Sequence, residues 1–159
     1  MAMDRTVNDL RDAIEQVLED DSNRVSFGKI LKRPRAGLYP NDHREAMIDD
    51  DGSLRATVIF SPRIREFEDE ARWLVWGLNS FEIAHYLAFN EEKNSEKDFN
   101  AELEHLRSAL RMNATVFGVP ARPETQRTIE TVDPTIVIVG DVLCHQGIVP
   151  FTIETKDGL

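Results

Sequence analysis

Cys144 is the only cysteine in this 159-residue chain. No internal disulfide framework can form, and such usage suits a reducing compartment. Long apolar runs are missing as well: none approaches the ~20 residues that a membrane-spanning helix needs. The opening Met1-Ala2-Met3-Asp4-Arg5 lacks a basic flank followed by an apolar core, so no secretory leader is expected and the protein reads as soluble and intracellular. Positive charge is scarce, with 19 Lys and Arg against 29 Asp and Glu and a formal net charge of −10. That balance argues against a general nucleic-acid binder, which displaces counterions from phosphates with a basic surface.

Recognisable chemistry is sparse too. Gly28, Gly37, Gly52 and Gly77 stand alone, so no glycine-rich turn offers a phosphate cradle. No serine sits in Gly-x-Ser-x-Gly. His43, His85, His105 and His145 are never three to five residues apart, the spacing that sets two ligands on one helical face. Asp49-Asp50-Asp51-Gly52 does not match the alternating acids of a calcium loop and reads as a solvated turn. No metal or cofactor is expected. Cys144-His145 with a distant acid could form a thiol nucleophile and base, but a small hydrophobic residue in a hairpin loop is the simpler reading. His85 lies in an apolar row and reads as a hydrogen-bonded, partly buried side chain. His105 reads as a boundary residue.

What is present describes one globular domain, residues 1–159, with 41% apolar and 30% charged residues. Its best-marked stretch is Ser95–Gly118. Ser95-Glu96-Lys97-Asp98 resembles a capping box, and Phe99, Leu103, Leu106, Leu110 and Phe117 recur on one helical face. Lys97, Glu102, Glu104, Arg107 and Arg111 fall largely off that stripe. Val7, Leu10, Ile14, Val17 and Leu18 mark a first helix over Thr6–Glu19. Strands are expected at Arg24–Lys32, where Gly28 could mark a bulge, and at Leu54–Phe60, extending past Ser61-Pro62 to Arg65. Glu66–Glu70 reads as a charged connector. Residues 71–78 and 81–89 follow, as a hairpin about Asn79-Ser80 or as one bent strand. A hairpin of Thr135–Val142 and Ile148–Thr155 about the loop 143–147 closes the chain, with 156–159 as a flexible tail.

The fold class expected is therefore α+β, a mostly antiparallel sheet packed by two main helices in the order α-β-β-β-α-β-β. Residues 33–53 read as a long loop or hairpin arm, basic in its first half and acidic in its second, with Arg33, Arg35 and Tyr39 as expected arm contacts. Apolar residues are in excess for a one-sided sheet: Trp73 and Val75 alternate with Leu74, Trp76 and Leu78, and Ile136 and Ile138 with Val137 and Val139. Either one helix covers each face, or part of the second face is buried by another subunit, with Trp73 or Trp76 at that interface.

The succession of helix Thr6–Glu19, strands Arg24–Lys32, Leu54–Arg65 and Ala71–Phe89, helix Ser95–Phe117 and hairpin Thr135–Thr155 resembles the tail terminator proteins of long-tailed bacteriophages. The likeness covers most of the chain, in element order and length, and the polar stretch 121–134 is a departure from it. The resemblance implies a structural virion protein of the neck or tail, assembled in the host cytoplasm. Six copies would form a ring that caps the tail tube and joins it to the head connector, with DNA passing through the ring. It implies no enzymatic activity, no cofactor, no membrane and no sequence-specific nucleic acid. Two other classes fit the residues: a small acidic interaction module of the inhibitor or immunity type, and a small α+β enzyme built on scattered His43, His85 and acids.

Overall fold

The computed structural model describes residues 7–33, 46–50, 52–69, 74–113 and 132–158. Helix α1 (Val7–Glu19) forms because Leu10, Ile14, Val17 and Leu18 fall on one stripe, and all four are buried. Helix α2 (Ser95–Met112) does the same with Phe99, Leu103, Leu106 and Leu110. Both stripes enter a single apolar cluster with Ile59, Phe81, Ile83, Val149, Phe151 and Ile153, so both helices lie on the same face of the sheet. Phe117 lies outside the described residues.

The strands are β1 (Lys29–Arg33), β2 (Arg55–Phe60), β3 (Arg63–Asp69), β4 (Leu74–Ala88), β5 (Val132–Val139) and β6 (Val142–Gly158). They make one six-stranded sheet in the order β1-β2-β4-β6-β5, with β3 beside the first half of β4. Pairing is antiparallel except between β1 and β2, which run parallel. The protein is an α+β fold.

One helix per face is thus corrected. The second face carries its own cluster of Ala56, Val58, Ala84, Tyr86 and Cys144, closed by Met47 and Leu54. A turn brings Met47 there: Asp49 N–H donates to Ser53 O, Gly52 takes φ +85°, and Ile48 bridges to Leu54. The buried second row of β2, β4 and β6 is therefore an internal core and needs no neighbour to explain it.

Other boundaries differ for local reasons. Arg24–Phe27 is a 3₁₀ turn rather than strand, closed by Ser26 N–H to Asn23 O and Gly28 N–H to Val25 O, with Val25 exposed. Gly28 then takes φ +62°, and a Cβ there would overlap the Arg55 carbonyl. Ser61-Pro62 breaks the strand expected to continue to Arg65, and β3 absorbs the supposed charged connector. Residues 74–88 are one strand, the alternative to the hairpin about Asn79-Ser80. The closing hairpin turns at Gly140-Asp141, two residues with Gly140 at φ +62°, so Leu143–Gly147 is strand. β6 runs on through Lys156–Gly158, expected as a tail, pairing Lys156 with Trp76.

The β4–β6 ladder is long, with fifteen pairs from Leu74↔Gly158 to Ala88↔Cys144. At roughly 3.3 Å per residue it extends about 50 Å, whereas the 18 residues of α2 reach about 27 Å at 1.5 Å each. The ribbon of β3, early β4 and late β6 thus outreaches α2.

Candidate functional site

The described polar chemistry gathers under α2, where two histidines sandwich one phenylalanine. His85 of β4 is fully buried and stacks on Phe99 at 5.8 Å between centroids; His145 of β6 stacks on the same ring at 5.1 Å. Strand alternation puts both imidazoles on the helical face: Leu87 pairs with His145, and His85 lies two residues before Leu87. Gly147 makes room beside them, since a Cβ there would crowd Leu103 and Phe99.

Hydrogen-bond counting fixes much of the His85 network. Thr57 Oγ1 gives its only proton to Phe27 O at 2.9 Å, so His85 Nδ1, at 2.9 Å, must donate to that oxygen. A second hydrogen lies between His85 Nε2 and Glu102 Oε1, 2.9 Å apart. Arg55 also donates to Glu102, from Nε to Oε1 at 2.9 Å and from Nη2 to Oε2 at 3.4 Å. Asp49 lies 3.9 Å from the far side of the guanidinium. The chain Phe27–Thr57–His85–Glu102–Arg55 thus ties the 3₁₀ turn, β2, β4 and α2 together.

His145 makes a second tie. Its Nε2 is 2.8 Å from Ser95 Oγ, which accepts the Asn90 N–H, also at 2.8 Å. Burial pushes the imidazole's pKa below its usual value, opposed by the nearby Glu96 and Glu102. Ser95 is accordingly no capping-box residue: it is the first helical residue, preceded by Asn94 at φ +51° with no side-chain cap, and its hydroxyl secures the β4–α2 loop to β6. A serine beside a histidine can be a nucleophile and base, but both side chains are buried and no carboxylate bonds the imidazole among the described residues. What the two side chains do in this structure is tie the β4–α2 loop to β6.

The remaining expected residues do not converge here. Arg33 ends β1, where its carbonyl accepts from Arg11 Nη2 at 3.2 Å and from Ser61 N–H at 2.9 Å. Arg35, Tyr39, His43 and Trp73 lie outside the described residues. Trp76 has its backbone between Phe67 and Lys156. His105 is half-buried against Ser26 Oγ at 3.0 Å. Cys144 is strand rather than loop, on the face opposite His145, and burial pushes its thiol up to about 11, far from a thiolate at neutral pH. Among the described residues, no three His, Cys, Asp or Glu side chains converge as a metal set. No described helix is long and apolar enough to cross a membrane. A surface groove between α1 and the end of α2 is lined by Gln16, Asp20, Asp21 and Asn113, but Asp20 is bonded to Gln16 and Asp21 to the Asn23 N–H.

Sequence reading missed Glu102 and Ser95 as members of this cluster. The signal for Glu102 was its place three residues after Phe99 and four before Leu106, inside the buried stripe. No known protein-family model matches this chain, and no curated protein matches it either.

Proposed function

We propose that this chain is a structural assembly subunit, a virion neck or tail component of the tail-terminator type that works as a six-membered ring on the end of a tail tube. The observation that carries the reading is the β3–β4–β6 ribbon: strands of 15 and 17 residues are long for a domain of this size, and they outreach the helix beside them. Among the described residues the outer edges of β3 and late β6 have no strand beside them, which suits a ring subunit that joins its neighbours edge to edge. The internal polar groups support the same reading, because His85, Glu102, Thr57, Ser95 and His145 are spent on one another beneath α2. The net charge of −10 suits a lumen that lets DNA slide without sticking.

The test is mass by light scattering, with negative-stain images, on the full chain alone and mixed with assembled tail tube. Rings of six subunits, free or seated on tube ends, are expected. A chain that stays single in both conditions and instead captures one basic protein would replace this reading with the acidic interaction module.

A further inference from the structure

Helix α2 leaves part of its own sheet face bare. It covers β6 from its first turns onward, with Phe99 stacked on His145 and Leu103 against Gly147. In the other direction from His145 the sheet continues to the Gly140-Asp141 turn. Four large apolar side chains stand there on the helical face. The Phe89 ring lies 5.3 Å from His145, Ile136 pairs with His145, and Leu143, two residues before His145, pairs with Ile138. Phe89 N–H donates to Leu143 O, so Phe89, Leu143 and Ile138 make a row across the ends of β4, β6 and β5. They are 41%, 49% and 70% exposed, and Ile136 is 50% exposed. On the opposite face of the same strands Val137, Val139 and Val142 pack on the second internal cluster, so the exposed apolar surplus is one-sided.

The rim of this row is acidic. Phe89 runs into Asn90-Glu91-Glu92-Lys93, α2 opens with Ser95-Glu96-Lys97-Asp98, and Asp141 sits in the turn beside the Ile138–Leu143 pair. The carboxylates of Glu91, Glu92, Glu96, Asp98 and Asp141 thus face only the ammonium groups of Lys93 and Lys97, and all of these residues are exposed. The rest of the chain adds a field of the same sign, with a net charge of −10. A contiguous apolar row rimmed by charge marks a contact surface, where single exposed apolar residues do not.

We propose that this face docks a basic amphipathic helix of another protein. The helix sets an apolar stripe on Phe89, Leu143 and Ile138 and turns Lys or Arg residues toward the surrounding carboxylates. Three observations select that occupant. A sheet face is covered by side-chain packing rather than by backbone pairing, and the layer that packs there is a helix, as α2 already does next to it. Neighbouring strands about 4.8 Å apart set the row at steps close to the roughly 5–6 Å between residues three or four apart on a helix. Charge then chooses the sign. A second copy would bring another net charge of −10 against the acidic rim, whereas a basic helix is drawn to it. The row lies at the Ala88–Cys144 end of the long ladder, away from the ribbon at the Leu74–Gly158 end, so the docking does not depend on the ring reading.

The experiment titrates the full chain into a fluorescent synthetic peptide of Leu and Lys spaced as an amphipathic helix, read by anisotropy. Two control peptides carry the same composition in scrambled order, without a stripe, and Glu in place of every Lys. The striped basic peptide should bind at least roughly tenfold tighter than either control. Ile138→Ser removes apolar surface at constant charge and should weaken binding roughly tenfold. Since Ile138 is largely in water, that variant should melt like wild type by circular dichroism. Glu91→Gln with Glu92→Gln keeps the shape and should weaken binding several-fold while flattening its salt dependence. Methyl spectra of the unaltered chain decide without any variant: peptide should shift Ile136, Ile138 and Leu143. No binding of the striped peptide, equal binding of the scrambled one, a folded Ile138→Ser of unchanged affinity, or methyl shifts centred elsewhere would each overturn the docking. The number of subunits in a ring is read separately by light scattering, and neither result alters the other.

Discussion

Replacing Glu102 by Ala removes the carboxylate on which the His85 and Arg55 side chains converge. His85 Nε2 and Arg55 Nε both lie 2.9 Å from Oε1. The side chains of His85, Glu102 and Arg55 are 0%, 8% and 20% exposed, so the pair sits largely outside water. Deleting one partner of a buried ion pair costs about 3–5 kcal/mol, mostly as the penalty of leaving the other uncompensated. Arg55 retains some access to solvent and can rehydrate, which places the expected loss at the lower end, about 3 kcal/mol. For a chain of this length each kcal/mol moves the melting temperature by roughly 2–4 °C, so a drop of about 6–12 °C should accompany it. Urea titration followed by circular dichroism reads the loss directly, with an unchanged slope showing that the denatured state has not shifted. The double substitution His85→Leu with Glu102→Leu should cost less than the sum of the singles, by about 1 kcal/mol or more, because it removes both buried polar groups. A Glu102→Ala midpoint indistinguishable from wild type would show that the network does not hold α2 to the sheet.

Gly28→Ala should cost about 3 kcal/mol, since φ +62° with ψ −138° is a glycine conformation and the new Cβ would strike backbone rather than a yielding side chain; an unshifted urea midpoint would contradict this. Because burial lowers the His145 pKa, the unfolded chain binds more protons than the folded one once pH falls below about 6.5, so stability should decline on acidification through that value toward the lowered folded one. His145→Asn should flatten this part of the stability–pH curve, and identical slopes in the two proteins would remove His145 as its source.

Helices were legible because their buried residues recur every three or four positions regardless of what they pack against. Strand positions were legible wherever alternation ran uninterrupted, as from Arg55 to Phe60. Val25 and Phe27 imitated that alternation, but their parity came from a 3₁₀ turn, whose i→i+3 bonds leave no trace in hydropathy. The closing turn was misplaced because Cys144, His145 and Gln146 look polar, whereas Cys144 and His145 are both buried, on opposite faces. The His85 cluster was hidden for a different reason. Its hydrogen-bonded partners are 17 to 47 residues apart in sequence, and only the pairing of β2 with β4 brings Thr57 beside His85. Glu102 could still have been suspected, because a carboxylate inside a helical stripe needs a partner when the stripe is buried.

The β4–β6 ladder also sets the order in which the chain can fold. Two of its neighbours are local: β3 pairs with β4 from Asp69 opposite Leu74, and β5 turns into β6 with Val139 opposite Val142. Hairpins of that kind close in roughly 1–10 μs. The ladder joining them is non-local throughout, because even its nearer end pairs Ala88 with Cys144 and its farther end pairs Leu74 with Gly158. Loop-closure entropy must therefore be overcome before any of its fifteen pairs forms, and α2 has to settle within that loop. Docking of two preformed hairpins across α2 becomes the slow step, with zipping outward from Ala88 and Cys144. The far end of the ribbon closes last, and by the same route it frays first.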